Sequence, residues 1–167
     1  MLDFGARRRR REAARAWHGE INRLARDPEL YQSGLAQDTL DGRFEMVTLV
    51  TALVLRRLRD LGDPGRKLAD SVYREVFSGL DHALREEGVG DASIARKVRG
   101  LGERFFGLAR AVDAALGSED EIAALTEVLA RNGIISLEAG KPLSVWLVAL
   151  AQRFAEAEPD KLRSGTF

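Results

Sequence analysis

Apolar side chains return every three or four residues along most of the chain and almost nowhere at every second residue, so the pattern predicts helices and no strands. Trp17, Ile21 and Leu24 share one face of a helix predicted over residues 12–26. Asp27-Pro28 ends it, because proline lacks the amide hydrogen a further helical turn needs. Residues 28–38 read as a loop or a single helical turn, with Leu30, Tyr31 and Leu35 available to pack inward. From 38 to 62, Phe44, Val47, Val50, Val54, Leu58 and Leu61 form one stripe, and Met46, Leu49 and Leu53 widen it past an ordinary amphipathic face. A helix apolar on most sides belongs at the centre of a bundle.

Gly62 is predicted to stop that helix, and Asp63-Pro64 to open the next with Asp63 as N-cap. Leu68, Val72, Val76, Leu80 and Leu84 mark a third helix. A fourth opens at Asp91 and carries Ile94, Val98, Leu101, Phe105, Leu108, Val112 and Leu116. Ser118 and Glu121 have capping-box spacing and predict a fifth helix through Leu125, Val128 and Leu129, closed by Asn132-Gly133. Pro142 opens a sixth, with Leu143, Trp146, Leu147, Leu150 and Phe154. The expected fold is all-α: one bundle-like domain of about six helices over residues 12–158, with a basic tail over 1–11 and a polar tail over 159–167.

The stretch LREEGVGD, residues 84–91, contains two glycines around a valine. A phosphate-gripping loop needs a strand before it and more glycines at fixed spacing, and neither is present. A helix–helix corner uses every residue. Gly88 takes the left-handed position, Val89 meets Leu84 across a Schellman closure, Gly90 bends the chain, and Asp91 caps the next helix near Ile94. Gly88, Val89 and Gly90 are thus structural. The nearby charges Asp81, Arg85, Glu86 and Glu87 are left over, and acids at a helix C-terminus oppose its dipole.

Composition removes several kinds of chemistry. With no cysteine among 167 residues, disulfides and thiolate-held metals are excluded. The two histidines, His18 and His82, are far apart in sequence, so no metal site or cofactor is expected. Net charge is zero, but residues 1–26 hold eight arginines against Asp3, Glu12 and Glu20, giving +5 there and −5 over the remainder. No apolar segment of signal-peptide length follows the early arginines, and the acids argue against a transit peptide. The most apolar run, VTLVTALVL at 47–55, is about half a bilayer span. These features predict a soluble, cytoplasmic chain. Glu86/Glu87 and Glu119/Asp120/Glu121 are helix neighbours that point apart, so neither cluster forms a converging acid–base pair.

The segments DTLDGRFEMVTLVTALVLRRL and SGLDHALREEGVGDASIARKVRGLGERFFG together resemble the ubiquinol–cytochrome c chaperone family over roughly residues 30–116. The resemblance implies an α-helical, non-enzymatic assembly chaperone for respiratory complex III. Its mitochondrial members bind newly made cytochrome b and associate with the ribosome. Where the family commonly has a histidine in the second helix this chain has Val50, and Leu108 stands where it often has an arginine.

On this resemblance the expected partner is cytochrome b or another complex III subunit, at the inner face of the inner membrane, with no role for DNA. The candidate contacts are Asp41, Arg43 and Glu45 at the start of the central helix, and Asp81, Arg85, Glu86 and Asp91 around the corner. Arg43 is expected to pair with Asp81, Glu86 or Asp91, making one polar patch at one end of the bundle. Tyr73, Phe77, Phe105, Phe106, Trp146 and Phe154 are assigned to the core, some lining a groove for a client helix. The alternative function is a ribosome or RNA adaptor, using Arg7, Arg8, Arg9, Arg10 and Arg11 in a solvated tail that contacts RNA or an anionic membrane surface. A small helical enzyme is a weaker alternative, since it needs converging polar groups in a pocket.

Overall fold

The computed structural model describes residues 4–167, and among these it contains eight helices and no strand. They are α1 (Phe4–Ala25), α2 (Pro28–Gln32), α3 (Leu40–Arg59), α4 (Gly62–Glu86), α5 (Asp91–Ala115), α6 (Glu121–Arg131), α7 (Gly140–Glu156) and α8 (Pro159–Ser164). The six predicted helices are all present, and the two additional ones are single turns.

α3 is the hub. From Phe44 to Leu55 every residue except Glu45 is buried, and the helix packs against α1, α4, α5 and α7. Each buried leucine, valine or phenylalanine side chain contributes about 1.5–3 kcal/mol over an exposed one, which is why this stripe dictates the centre of the fold. The polar exceptions are satisfied locally: Thr48 Oγ1 donates to the Glu45 carbonyl at 2.7 Å and Thr51 Oγ1 to that of Val47 at 2.6 Å. Val50 and Leu108 are both buried, so the two departures from the family pattern change packing rather than the surface.

The corner between α4 and α5 is a Schellman closure. Gly88 has φ +77°, Val89 N–H donates to the Leu84 carbonyl at 3.2 Å, and Gly88 N–H donates to that of Arg85 at 3.1 Å. Asp91 does not cap α5, however. The Gly90 carbonyl accepts the amides of Ser93 and Ile94, and the Asp91 carboxylate turns back to Arg85. A charge-assisted bond to a guanidinium outcompetes a neutral amide.

Other boundaries also differ from expectation. α1 begins at Phe4, so the arginines at 7–11 are helical, not a tail; residues 1–3 lie outside the described part. Arginine is a good helix former, and Glu12 ties Arg8 to the next turn at 3.6 Å. Asp63 lies inside α4 and pairs with Arg66 instead of capping it. Asp120, not Ser118, caps α6, accepting from Ala123 N–H at 3.0 Å, while Ser118 bonds back to Ala115. The C-terminal segment is no free tail: Leu162 is buried and the Phe167 ring lies 4.7 Å from that of Phe154. Phe106, assigned to the core, is 50% exposed and leans on Tyr73 from outside.

Candidate functional site

The antiparallel packing of α3 on α4 brings the start of one helix beside the end of the other, so both charged motifs stand at the same end of the molecule. α2 closes that end. Asp27 caps α2 by accepting from Glu29 N–H at 3.0 Å, and Tyr31 is anchored by its hydroxyl to the Ala25 carbonyl at 2.6 Å. Burial pushes the Tyr31 phenol above its ordinary pKa, so it stays a donor at neutral pH.

Between α2, α3 and the end of α4 lies a cleft of about 310 Å³. Its floor is Leu40, Phe44, Val47 and Ala83, and its rim carries Arg26, Asp38, Arg43 and Glu87. Arg43 reaches back to Asp38 through Nη2 at 2.7 Å and Nε at 2.9 Å, and its guanidinium sits 5.9 Å from the Tyr31 ring centre. The bond to Asp38, helped by the field of Glu87, raises the Arg43 pKa. Charges of both signs therefore border an apolar floor, with Arg43 and Asp38 bonded to each other.

The expected pairings are redistributed. Arg43 takes Asp38 rather than Asp81, Glu86 or Asp91, because five residues along the same chain segment is a shorter reach than the next helix. Arg85 bridges Asp81 at 3.0 Å and Asp91 across the corner. Asp41 pairs with Lys97 of α5. Glu45 lies on the same side as Asp41, near Arg104, and burial raises its pKa, with Asp41 adding to the rise and Arg104 opposing it. Glu86 faces α1 instead, in a depression shared with His18, Asn22, Arg26 and His82. The seven expected residues thus share one end but face four ways.

The expected contacts left out Arg26, Tyr31, Lys97 and Glu87, although Glu87 stood among the charges the corner leaves unexplained. Glu87 directly precedes the Gly88 turn, and that position was a legible signal. Arg26, at the end of α1, carried none, since only the docking of α1 beside α4 brings it to the cleft. The arginine run lies at the opposite end, where Arg9 and Arg10 line a second cleft with Lys67 and Arg163. Among the described residues no group of three or more His, Asp or Glu side chains is placed to hold a metal ion, and no helix is long and apolar enough to cross a membrane.

The model of the ubiquinol-cytochrome C chaperone family matches residues 34–167, so the likeness extends well past residue 116, through α6, α7 and α8. The chain is also similar to the crystal structure of the Cbp3 homolog from Brucella abortus, with 27% sequence identity, a TM-score of 0.80, and coverage of 98% of this chain and 93% of that one. That coverage brings in most of α1, which the family model leaves out. No curated protein matches the chain.

Proposed function

The chain belongs to the ubiquinol-cytochrome C chaperone family, and from that premise we propose that it is a non-enzymatic assembly chaperone for complex III, holding a cytochrome b client or nascent chain beside a membrane. The observation that carries the reading is the cleft between α2, α3 and α4, where both sequence motifs of the resemblance converge. Its apolar floor suits the side chains of a membrane-protein segment that has not yet found its final partners. The rim charges of both signs, Arg26 and Arg43 against Asp38 and Glu87, fix the direction in which such a segment lies. Binding and release are sufficient for this role.

The test is a strain lacking the gene, complemented with the full chain or with Arg43→Glu, with assembled complex III and co-purified nascent cytochrome b as readouts. The native chain restores both, and Arg43→Glu restores neither at equal abundance. Normal complex III in the deletion strain would overturn the proposal.

A further inference from the structure

At the far end from the client cleft, the first turns of α1 and α4 and the short α8 enclose a second cleft of about 590 Å³. About 20 residues of α4, or roughly 30 Å at 1.5 Å per residue, separate the two. Ala6, Ala13, Pro64 and Leu68 give it apolar walls. Arg10 stands on the inward stripe of α1, three residues before buried Ala13 and seven before buried Trp17, and is itself only half-exposed. An arginine at a core-facing position, aimed over a cleft, is costly unless something meets its charge.

The charges around this cleft are unequal in their commitments. All three carboxylates of the lining are already paired: Glu12 with Arg8 at 3.6 Å, Asp63 with Arg66, and Asp160 with Arg163 at 2.9 Å. Arg9, Arg10 and Lys67 have no carboxylate within 4.0 Å among the described residues. Three uncommitted cations from two helices therefore converge on one concavity. The positive end of the α4 dipole, whose N-cap Leu61 offers no side-chain acceptor, adds to the same field.

We propose that this cleft binds the phosphate of an anionic phospholipid headgroup and so seats the chain on a membrane surface. Two guanidiniums and an ammonium match a tetrahedral phosphate better than a lone carboxylate. The apolar walls leave room for the glycerol and the first methylenes below it. Phe4, 74% exposed at the same end of α1, is an aromatic of the kind that enters the interfacial layer. No described helix is long and apolar enough to cross a bilayer. A polyanion such as RNA fits less well, because the unpaired Arg9, Arg10 and Lys67 gather at one concavity instead of along a continuous basic track. The inference deepens the membrane-side part of the proposed function and rests on that reading.

The experiment is flotation of the full chain with vesicles of phosphatidylcholine alone and of phosphatidylcholine containing phosphatidylglycerol, without client. Binding requires the anionic lipid. Arg10→Ala/Lys67→Ala weakens it by about 20-fold or more, while Arg7→Ala/Arg11→Ala, removing the same charge outside the cleft, weakens it by less than about threefold. Equal losses in the two pairs would mean diffuse attraction and overturn the cleft. So would saturation by millimolar inorganic phosphate, or tighter binding of a ribosomal RNA fragment, with no vesicle binding. Client capture is scored separately, so a failure here leaves the client cleft standing, and a failed client assay leaves this result standing.

Discussion

The indole Nε1–H of Trp17 donates a 2.8 Å hydrogen bond to the carbonyl oxygen of Leu162, 145 residues further along the chain. This bond fastens α8 across α1, and the ring of Phe167 stacks on Trp17 at 6.2 Å and meets Phe154 edge-on. Gly165 makes the turn between them with φ +94°, and a Cβ there would lie 2.5 Å from Ala16 Cβ and 2.7 Å from the Ala13 carbonyl oxygen. Gly165→Ala is therefore expected to lower stability by about 2–3 kcal/mol, combining left-handed strain with overpacking. Urea denaturation checks it, and an unchanged midpoint would show that the C-terminus does not dock on α1.

The two glycines of the α4–α5 corner separate by one substitution each. Gly88 has φ +77° with open space around the missing Cβ, so Gly88→Ala costs only the backbone term, about 1–2 kcal/mol. Gly90 has φ −68° and equally open space, so Gly90→Ala is neutral or slightly stabilising through the unfolded chain. Thermal melts of the two variants should differ in that order. Equal losses would contradict the Schellman geometry.

His18 sits over Gly79, where a Cβ would come within 2.5 Å of the imidazole. Burial lowers the His18 pKa; Glu75 opposes the shift and Arg26 reinforces it. The unfolded chain therefore takes up a proton first as pH falls, so the stability associated with neutral His18 is full above the unfolded value near 6.5 and is lost as pH drops from there through the folded value. His18→Gln should flatten the dependence of stability on pH between about 7 and 5, with a slope change of at most about 1.4 kcal/mol per pH unit. An identical profile in the variant would refute this account.

Glu45 carries the opposite sign. Its pKa is raised, first by burial and then by Asp41, so folding favours its protonated form. That contribution is present at acid pH and fades as pH rises through the folded value. Glu45→Gln should accordingly raise the melting temperature modestly at pH 7 and hardly at all near pH 4. If Glu45 also meets the client, the same variant gains stability while losing capture. Lower stability at pH 7 would mean that attraction to Arg104 outweighs burial.

Much of this architecture was legible before any coordinates. The i, i+4 recurrence of Leu68, Val72, Val76, Leu80 and Leu84 specifies a helix and its buried face, and the Leu84–Gly88–Val89 spacing specifies how it stops, because each depends on atoms only a few bonds apart along the chain. The starts of helices were harder. Asp63, Asp91 and Ser118 all look like caps, but the first two turned to arginines and the third bonded backwards, since a side chain chooses among partners of comparable energy and the best may come from another turn. The arginine run looked like a tail because like charges repel, yet burial of Ala13, Ala14 and Trp17 against the bundle carries the helix outward through it.

By itself the sequence determined an all-helical chain, the central place of α3, the α4–α5 corner and the family, since each follows from short-range periodicity or a contiguous motif. Only the tertiary structure decided that Arg26, Arg43 and Glu87 share a cleft, that Arg10 and Lys67 share another, and that Leu162 and Phe167 of the last nine residues pack on the core. Those relations join residues tens of positions apart. They are set by how helices dock, a many-body packing outcome that local spacing does not encode.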